Sequence, residues 1–412
     1  MIDLRDRFFV PDSPAVELRA FTHGLMPTTV PTMMERFVED WKEYGVDAWN
    51  RIPNHWMPDS GDDVGWWSLP EYLGDRFIAP MLGATSGTCI MQPNAHVAVQ
   101  GLLSAPEPFV HGRDEVVFTE AEFPSVQHSV RQWAALRGYQ PRSIPLAPDA
   151  FLNVDALCNS ITRRTAWVFV SHVGFTTGEK LPDHVLQTIA NTAHSHSALF
   201  AIDGYHATGS SVIDVERIQA DAYFGGLLKE ACGSSGNAYL YLREGLDLTP
   251  AVAGWFGDAD PFGFHPNPQP HPTVRRRFLA GTTAVASLYH AVEGLRIIME
   301  AGFEAVRSDS LAKTELAIQR ADAAGLSLRS PRQAERRGAM IVLEVDRAGA
   351  LCEWLKTRLI YTDSRQDRYL RLAPFVWNSA DDIERAFDTI EEGLKEGLHR
   401  RSEQRKAVGP VT

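Results

Sequence analysis

Two residues of the chain have the side chains and the positions for amine chemistry, because each one ends an apolar run. Asp203 follows the apolar residues 198–202, and Lys229 follows residues 222–228. Lys229 is one of seven lysines, and the only one that ends a run without charged or strongly polar side chains. A lysine removed from water has a lowered pKa and becomes a nucleophile able to form a Schiff base. The alternative is that Lys229 ends a strand and extends its ammonium group into solvent.

The pairing of Lys229 with Asp203 favours the nucleophile. A carboxylate and an amine at the ends of neighbouring strands can hold the pyridine nitrogen and the aldehyde of pyridoxal phosphate. The carboxylate keeps that nitrogen protonated, so that the ring accepts electrons from a substrate carbanion. His206 follows Asp203 closely along the chain. We therefore expect a pyridoxal phosphate site at this pair.

Other segments have the features needed to complete such a site. Phe123 follows a predicted strand, where its ring can stack on a cofactor. Residues 92–95 and 281–283 each open a predicted helix, and the backbone N–H groups of a helix start can bind phosphate. Arg371 lies near the end of the predicted strand 369–373, where its guanidinium group can bind an α-carboxylate at two points. Each feature alone is commonly structural, and only the combination favours a site.

The bulk properties of the chain argue against several classes of function. The 412 residues carry a formal net charge of −12, which argues against nucleic acid or an anionic membrane as the main partner. Four widely spaced cysteines predict a reducing compartment, and neither a disulfide framework nor a zinc site. The sequence contains no secretory signal and no run long enough to cross a membrane. We therefore expect a soluble, cytoplasmic protein.

The order of the predicted elements indicates an α/β fold. From residue 69 onward, short apolar strands alternate with amphipathic helices, which is typical of a mostly parallel sheet covered by helices on both faces. No GxGxxG or GxxxxGK[ST] motif opens these helices, so dinucleotide and P-loop sites lack their motif. Helices are predicted over residues 71–82 and, as one long element, over residues 283–301.

The length and the pattern together predict four parts of the chain. Two of them are structural domains, one large and one small, and the last part is a basic segment that we expect to be disordered. They are an N-terminal arm and helix (1–60), a large cofactor-binding domain (61–285), a small C-terminal α+β domain (286–400) and the tail (401–412).

Longer stretches of the sequence resemble a known family. The matching segments are EAEFPSVQH, SHVGFTTG, DGYHATG, the segment around Lys229, AGWFGDADPF, FLAGTTAV and YLRLAPFVWNSADDIERA. They resemble the fold type I pyridoxal phosphate enzymes of the class V aminotransferase branch, and kynureninase within it. The resemblance runs from about residue 23 to residue 394 and implies a homodimer with active sites at the subunit interface.

The resemblance also implies a role for each candidate residue. Lys229 would form the internal aldimine, Asp203 would pair with the pyridine nitrogen, and His206 would lie near the ring. The other assignments are Phe123 stacked on the ring, Asn94, Ala95 and Ser125 around the phosphate, Trp255 and Thr282 reaching the phosphate from a second subunit, and Arg371 on the substrate carboxylate.

Several positions depart from the kynureninase pattern. Leu228 stands where kynureninases have a catalytically involved tyrosine, and only His55 is a candidate for the histidine that helps hold the aryl ketone. The other departures are Ala95 for a threonine, Val126 for an acidic residue, Asp258 for a histidine and Gly281 for an asparagine. The resemblance is therefore more specific for the fold and the cofactor than for the reaction.

The sequence leaves more than one function open. The first is a lyase or hydrolase acting at the β position of an L-amino acid through a Lys229 aldimine and a Cα carbanion, as in C–S lyases or kynureninase. The second is Cα chemistry in specialised metabolism, by a class V aminotransferase or by decarboxylation-coupled oxidative deamination. A desulfurase is less favoured, because Cys352 lies in an amphipathic helix. A non-catalytic member of the fold is disfavoured by the retained Lys229, Asp203 and Phe123.

Overall fold

The N-terminal segment forms a strand pair with a late part of the chain. The computed structural model describes residues 1–10 and 15–397, so the predicted tail (401–412) lies outside the described residues. Strand β1 (Val16–Glu17) pairs in parallel with Ile360–Tyr361, and helix α1 (Val30–Tyr44) follows. No helix in the described part of the chain is long and apolar enough to cross a membrane.

A seven-stranded sheet forms the centre of the molecule. Its strand order is β2-β8-β7-β6-β5-β3-β4, and only β8 runs antiparallel to its neighbours. The predicted mostly parallel sheet is therefore confirmed. The strands are β2 (Cys89–Gln92), β3 (Glu115–Thr119), β4 (Gln140–Ile144), β5 (Thr165–Ser171), β6 (Leu199–Asp203), β7 (Ala222–Gly226) and β8 (Ala238–Leu242).

Helices cover both faces of this sheet. Alternate residues of β5 show why, since Trp167 and Phe169 join one hydrophobic cluster while Val168 and Val170 join the other. A strand buried on both faces needs apolar residues at every position, as the apolar runs of the sequence predict. The helices are α2 (Leu69–Leu73), α3 (Ala79–Leu82), α4 (Ala95–Ser104), α5 (Pro124–Arg137), α6 (Val154–Ser160), α7 (Asp183–Ser195), α8 (Val215–Ile218), α9 (Val274–Arg277), α10 (Val285–Ala291) and α11 (Glu293–Ala301).

Two predicted helices are interrupted. The helix over 71–82 contains a wider π-helical turn at Gly74–Ile78, and a Cβ atom on Gly74 would lie 2.5 Å from the carbonyl oxygen of Cys89. The helix over 283–301 divides at Val292, and α11 then packs against the turn that follows Lys229. A Cβ on Gly294 would lie 2.3 Å from the Ala231 carbonyl oxygen. Close tertiary packing overrides the helical periodicity at both places.

The C-terminal part forms a smaller α+β unit with its own hydrophobic cluster, to which Val16 and Leu18 also contribute. Its antiparallel sheet has the order β12-β13-β10-β9, and β11 pairs with β1. These elements are α12 (Phe303–Ala323), β9 (Ser327–Leu328), β10 (Ile341–Glu344), α13 (Ala348–Lys356), β11 (Ile360–Tyr361), β12 (Asp363–Arg365), β13 (Tyr369–Leu372) and α14 (Ala380–Glu396). The predicted division of the chain into domains remains a prediction.

Candidate active site

The carboxyl ends of the parallel strands form the edge where the candidate residues meet. Ser171 at the end of β5 pairs in register with Asp203 at the end of β6. Lys229 follows β7, the next strand of the sheet. In open α/β sheets, ligands bind in the crevice outside these strand ends. The topology therefore places Asp203 and Lys229 at the edge where a cofactor is expected.

The amine of Lys229 is engaged inside the protein. Its Nζ donates a hydrogen bond to the carbonyl oxygen of Phe21 at 2.8 Å and lies 3.1 Å from Nε2 of His206. The same nitrogen lies 5.5 Å from the centre of the Tyr205 ring. Burial lowers the pKa of Lys229. The geometry therefore matches the desolvated nucleophile, and not a side chain that extends into solvent.

The backbone holds the Asp203 carboxylate in place. Its Oδ1 accepts a hydrogen bond from the backbone N–H of Tyr205 at 2.9 Å, and the residue is 8% exposed. Burial raises the pKa of Asp203 to about 6, against the opposing effects of that N–H group and of Lys229. A pyridinium nitrogen beside the carboxylate would lower this pKa, because a positive charge stabilises the ionised form. The position fits the predicted role on the ring nitrogen.

His206 is a neutral imidazole with one free nitrogen. Its ring stacks on Phe21, with centroids 3.8 Å apart and planes 16° apart. Burial, and then the charges of Lys229 and Arg371, hold the pKa of His206 well below its ordinary value. Its Nδ1 is buried and lacks a hydrogen-bond partner in the described chain. Because an unpaired buried nitrogen is unfavourable, this atom is suited to a polar group of a bound ligand.

The predicted phosphate residues lie at the starts of two neighbouring helices. Asn94 caps α4 through its side-chain oxygen, which accepts a backbone hydrogen bond at 3.0 Å, and Ala95 is the first residue of that helix. Ser125 lies in the first turn of α5. The Ser129 hydroxyl joins the two helices, donating to the Ser125 carbonyl at 2.8 Å and accepting from Gln100 at 2.9 Å. Two adjacent helix N-termini offer backbone N–H groups and a positive dipole to a phosphate.

Phe123 and its neighbour Glu122 lie at the end of β3. Phe123 is 45% exposed and meets Phe175 edge-on at 5.4 Å, so one side of its ring is open for stacking. Glu122, which the sequence analysis missed, is fully buried and accepts hydrogen bonds from the Thr119 and Ser171 hydroxyls at 2.6 and 2.7 Å. Burial raises the pKa of Glu122 to about 8. Glu122 therefore joins the ends of β3 and β5 through Thr119 and Ser171.

The guanidinium group of Arg371 is bound to a carboxylate of the chain itself. Its Nε and Nη2 each lie 2.6 Å from an oxygen of Asp363 on β12. Nη1 donates to the Phe175 carbonyl at 3.0 Å, and Nη2 lies 3.2 Å from the Thr22 hydroxyl, which also binds Asp363. The two-point arrangement predicted for a substrate carboxylate is thus made internally. A substrate would meet the remaining edge of a guanidinium already fixed in position.

Trp255 and Thr282 are exposed in the single chain. Trp255 is 43% exposed and belongs to an aromatic cluster with Trp67, Phe256 and Phe262. Thr282 lies in the exposed segment before α10. The hydrogen bonds of Lys229 within the described chain go to Phe21 and His206 and not to these two residues. Their role at the phosphate therefore remains a prediction that requires a second subunit.

His55 lies in a different network. Its Nε2 is 2.8 Å from Asp40 and its Nδ1 is 3.1 Å from Arg36, so both ring nitrogens have partners. The Tyr289 hydroxyl donates to the same Asp40 at 2.5 Å. These contacts join α1 to α10 and give His55 a structural role.

The sequence analysis missed several residues of the site. Phe21, Thr22 and Asp363 reach it through contacts between distant parts of the chain, and no local pattern marks them. Glu230 did have a signal, since a charged residue directly follows the lysine in an otherwise apolar and small-residue segment. Its burial, however, depends on packing that the sequence does not show.

The family of the chain follows from a comparison with protein-family models. The model of the aminotransferase class-V family matches residues 78–355, which is more than half of the chain, so the protein belongs to that family. The predicted fold type I architecture and the pyridoxal phosphate cofactor are thereby confirmed. The free His206 nitrogen, the Asp203 carboxylate, the paired helix N-termini and the desolvated Lys229 amine all fit that cofactor.

Curated relatives match most of the chain at low identity. A kynureninase of Geobacillus thermodenitrificans (strain NG80-2) is 24% identical over 417 residues, covering 98% of this chain and 94% of the relative. A kynureninase of Pseudomonas fluorescens is 27% identical, covering 89% and 86%. An uncharacterized aminotransferase, YcbU of Bacillus subtilis (strain 168), is 28% identical, covering 78% and 82%. At this identity the relatives do not fix the reaction.

Solved structures show the same fold. A mutant of the cystine C–S lyase C-DES, with glycine covalently linked to its PLP cofactor, superposes with a TM-score of 0.79 at 18% identity and covers 94% of this chain and 99% of its own. A cysteine desulfurase from Thermococcus onnurineus NA1 also reaches 0.79 at 16% identity, covering 96% and 99%. At such identities the likeness supports the fold alone.

Proposed function

We propose that the protein cleaves a bond at the β position of an L-amino acid, as a pyridoxal phosphate-dependent lyase or hydrolase. The observation that carries this proposal is the Lys229 amine, desolvated and 3.1 Å from a neutral His206 at the strand ends. When bound, pyridoxal phosphate withdraws electrons from the substrate Cα and makes its proton acidic. A neutral lysine amine at this place is suited to take that proton.

The other residues hold and orient the reacting groups. Asp203 would keep a proton on the pyridine nitrogen, and Phe123 would stack on the ring. The starts of α4 and α5, with Asn94, Ala95 and Ser125, would hold the phosphate. Arg371 carries the positive charge that attracts the substrate carboxylate.

Cleavage at the β position is supported by the relatives named kynureninase, which match almost the whole chain. Either kynureninase-like C–C cleavage or elimination of a thiol from a cysteine conjugate would use the same Cα deprotonation by Lys229. Both reactions begin at Cα and release a group from the next carbon, so the residues described above serve either one.

A desulfurase that stores sulfur on a cysteine receives less support. Such an enzyme needs a thiolate, and burial raises the pKa of Cys352 to about 11. The Cys352 thiol accepts a hydrogen bond from the Thr362 hydroxyl at 3.3 Å, inside the C-terminal unit. Burial likewise raises the pKa values of Cys158 and Cys232. We therefore favour a reaction without a cysteine nucleophile.

Leu228 supports the alternative of transamination or decarboxylation-coupled oxidative deamination at Cα. This residue takes the place of the catalytically involved tyrosine in kynureninases, and its carbonyl oxygen accepts a hydrogen bond from Gly24 at 3.0 Å. An apolar side chain here removes a hydroxyl group that C–C cleavage would use. The relative named an uncharacterized aminotransferase fits this alternative.

We further propose a homodimer with active sites shared between the subunits. The exposed rings of Trp255 and Phe262, which pack on Trp67 and Phe256, would then be covered by the second copy, together with the exposed Thr282. Size-exclusion chromatography with light scattering should give twice the mass of the chain. A monomer with full activity would contradict this part of the proposal.

Product analysis tests the function. The purified holoenzyme is incubated separately with L-kynurenine, with an S-alkyl cysteine conjugate, and with an amino acid plus a keto-acid acceptor. Anthranilate indicates C–C hydrolysis, pyruvate with a free thiol indicates β-elimination, and a new keto acid or aldehyde indicates Cα chemistry. The last result without any β-cleavage would overturn the main proposal in favour of the alternative.

A further inference from the structure

A polar cavity opens at the amino ends of the parallel strands, on the opposite edge of the sheet from Lys229. Its volume of about 380 Å³ suits a small metabolite, since ligand sites range over about 300–1,000 Å³. Lys229 lies beyond the far end of β7, a five-residue strand that spans about 16 Å. The cavity is therefore separate from the candidate active site. We call it the amino-edge cavity, and its polar lining includes Thr85, His194, Glu216, Tyr241, Arg243 and Glu244.

The Tyr241 hydroxyl group marks this cavity as a binding site. Tyr241 is one of four buried tyrosines in the described chain, and it lines the cavity. The hydroxyl groups of the other three have polar partners: Tyr223 at 2.8 Å, and Tyr239 and Tyr289 at 2.5 Å each. The Tyr241 hydroxyl has no hydrogen-bond partner among the described residues. Because buried tyrosines normally find a partner for this group, a ligand in the cavity explains the exception.

A buried carboxylate fixes the two basic side chains of the cavity. Asp221, which is inaccessible to solvent, accepts hydrogen bonds at Oδ1 from Nε and Nη2 of Arg243, each at 2.8 Å. Its Oδ2 accepts from Nε2 of His194 at 2.8 Å and from the backbone N–H of Phe200 at 2.7 Å. These bonds offset the charge of Arg243 and hold its guanidinium group in position. Nη1 of Arg243 makes no hydrogen bond within the described chain, so this nitrogen can bind a carboxylate.

Two carboxylates of the cavity have no cation among the described residues. Glu216 is held in place, because its Oε1 accepts from the backbone N–H and the hydroxyl of Thr85 at 2.7 and 2.6 Å. Its Oε2 has no partner in the part of the chain that the structure describes. Glu244 is exposed after the end of β8 and makes no ion pair there either. Since Asp221 offsets Arg243, the remaining charge of the cavity is negative and favours a cationic ligand.

We propose that the amino-edge cavity binds a free amino acid with a cationic side chain, such as L-lysine. The two cationic groups of the ligand lie at Glu216 and Glu244, and its carboxylate lies at Nη1 of Arg243 and accepts a hydrogen bond from the Tyr241 hydroxyl. Two cations and one carboxylate thus meet two unpaired carboxylates and one unpaired guanidinium nitrogen. The binding is non-covalent and does not depend on the reaction at Lys229.

Calorimetric titration of L-lysine into the holoenzyme tests the proposal. The holoenzyme is first reduced with borohydride, so that pyridoxal phosphate attached to Lys229 blocks the candidate active site. We expect one L-lysine to bind per chain. Tyr241→Phe should weaken this binding by about fivefold, because one hydrogen bond to the ligand is lost. Glu216→Gln should weaken it by about tenfold, because a charge-assisted hydrogen bond is replaced by a neutral one.

Matched variants and ligands serve as controls. Tyr139→Phe removes a hydroxyl group beside β4, at the opposite end of the strand order from the cavity, and should bind L-lysine like the wild type. Glu353→Gln removes an exposed carboxylate on α13 and should do the same. L-norleucine lacks the second cation, and putrescine lacks the carboxylate. Each should bind at least about tenfold more weakly than L-lysine, because each leaves a charged group of the cavity unpaired.

The remaining outcomes overturn the proposal. Absence of L-lysine binding in the wild type excludes the site. Equal affinities of the wild type, Tyr241→Phe and Glu216→Gln would assign the binding to another part of the protein. L-norleucine binding as tightly as L-lysine would contradict the charge argument, and putrescine binding as tightly would remove Arg243 from the site. If Glu216→Gln does not fold, Glu244→Gln takes its place, and an unchanged affinity there counts against the proposal. A protein that borohydride leaves without bound cofactor contradicts the proposed function instead.

Discussion

Two ionic groups of the same site are built in opposite ways. The Arg371–Asp363 pair is saturated, because three guanidinium nitrogens and both carboxylate oxygens have close partners. Glu230, which follows Lys229, is unsaturated, because neither of its oxygens has a hydrogen-bond partner in the described chain. Saturation fixes the geometry and holds both charges of the Arg371–Asp363 pair, while the unpaired Glu230 carboxyl group is held protonated because burial raises its pKa. The site therefore combines a rigid, paired arginine with an unpaired buried acid.

The largest expected effect comes from replacing Lys229, the residue next to the unpaired Glu230. Lys229→Ala should abolish both the colour of the holoenzyme and the covalent capture of pyridoxal phosphate by borohydride, because the variant lacks the amine proposed to bind the cofactor. Mass spectrometry of the reduced protein measures the capture. Lys356→Ala, on the exposed surface of α13, should be captured like the wild type. Capture in Lys229→Ala at the wild-type level would refute the site.

The rigid side is tested by Asp363→Asn. The substitution leaves Arg371, which is 4% exposed, with an uncompensated buried charge. We expect the free energy of unfolding at neutral pH to fall by about 3 kcal/mol, as measured by urea denaturation. Glu344→Gln removes the partly buried partner of the exposed Arg368 in the same sheet and should change the free energy of unfolding by less than about 1 kcal/mol. Similar losses in both variants would mean that burial does not distinguish the two pairs.

Asp203→Asn tests whether the site exchanges stability for cofactor binding. Burial raises the pKa of Asp203 from 3.8 to about 6, so its stabilising contribution is present below 3.8 and is lost as pH rises towards 6. Cofactor-free Asp203→Asn should therefore be more stable than the wild type at pH 7 by about 2 kcal/mol, a gain that shrinks as pH falls below about 6 and is absent below 3.8. Its affinity for pyridoxal phosphate should fall. A variant destabilised at pH 7 would show that Asp203 is structural.

The smallest effect is expected at Thr22, which lies between the Arg371–Asp363 pair and the contacts of Lys229. The Thr22 hydroxyl binds both Asp363 and Arg371 and lies next to Phe21, whose carbonyl oxygen accepts from Lys229. Thr22→Val should raise the KM for the amino-acid substrate several-fold, corresponding to about 1 kcal/mol, with little change in kcat. Thr22→Ser, which keeps the hydroxyl, should restore the wild-type KM. A lowered kcat with an unchanged KM would mean that Thr22 acts on Lys229 instead.

The sequence predicts the parts of this site that depend on local order. Asp203 and Lys229 were identifiable because strand ends are visible as the ends of apolar runs, and neighbouring parallel strands bring those ends together. The fixed position of Arg371 could not be identified from the sequence, because its partners Thr22 and Asp363 are 341 residues apart. The break at Val292 was likewise hidden, since the helical pattern of residues 283–301 continues across it. Contacts between distant segments decided each case that sequence patterns could not predict.

The attachment of the N-terminal segment has a consequence for biosynthesis. The carbonyl oxygen of Phe21 accepts its hydrogen bond from Lys229, which lies 208 residues later in the chain. Strand β1 pairs with residues 360–361, so this pairing can form only after those residues have been synthesised. During translation, the first residues to leave the ribosome therefore lack their partners until nearly all of the protein is synthesised. Contacts of such long sequence separation form late and slow folding. We therefore expect the lysine pocket to be completed late in folding, and an incomplete chain to lack the finished site.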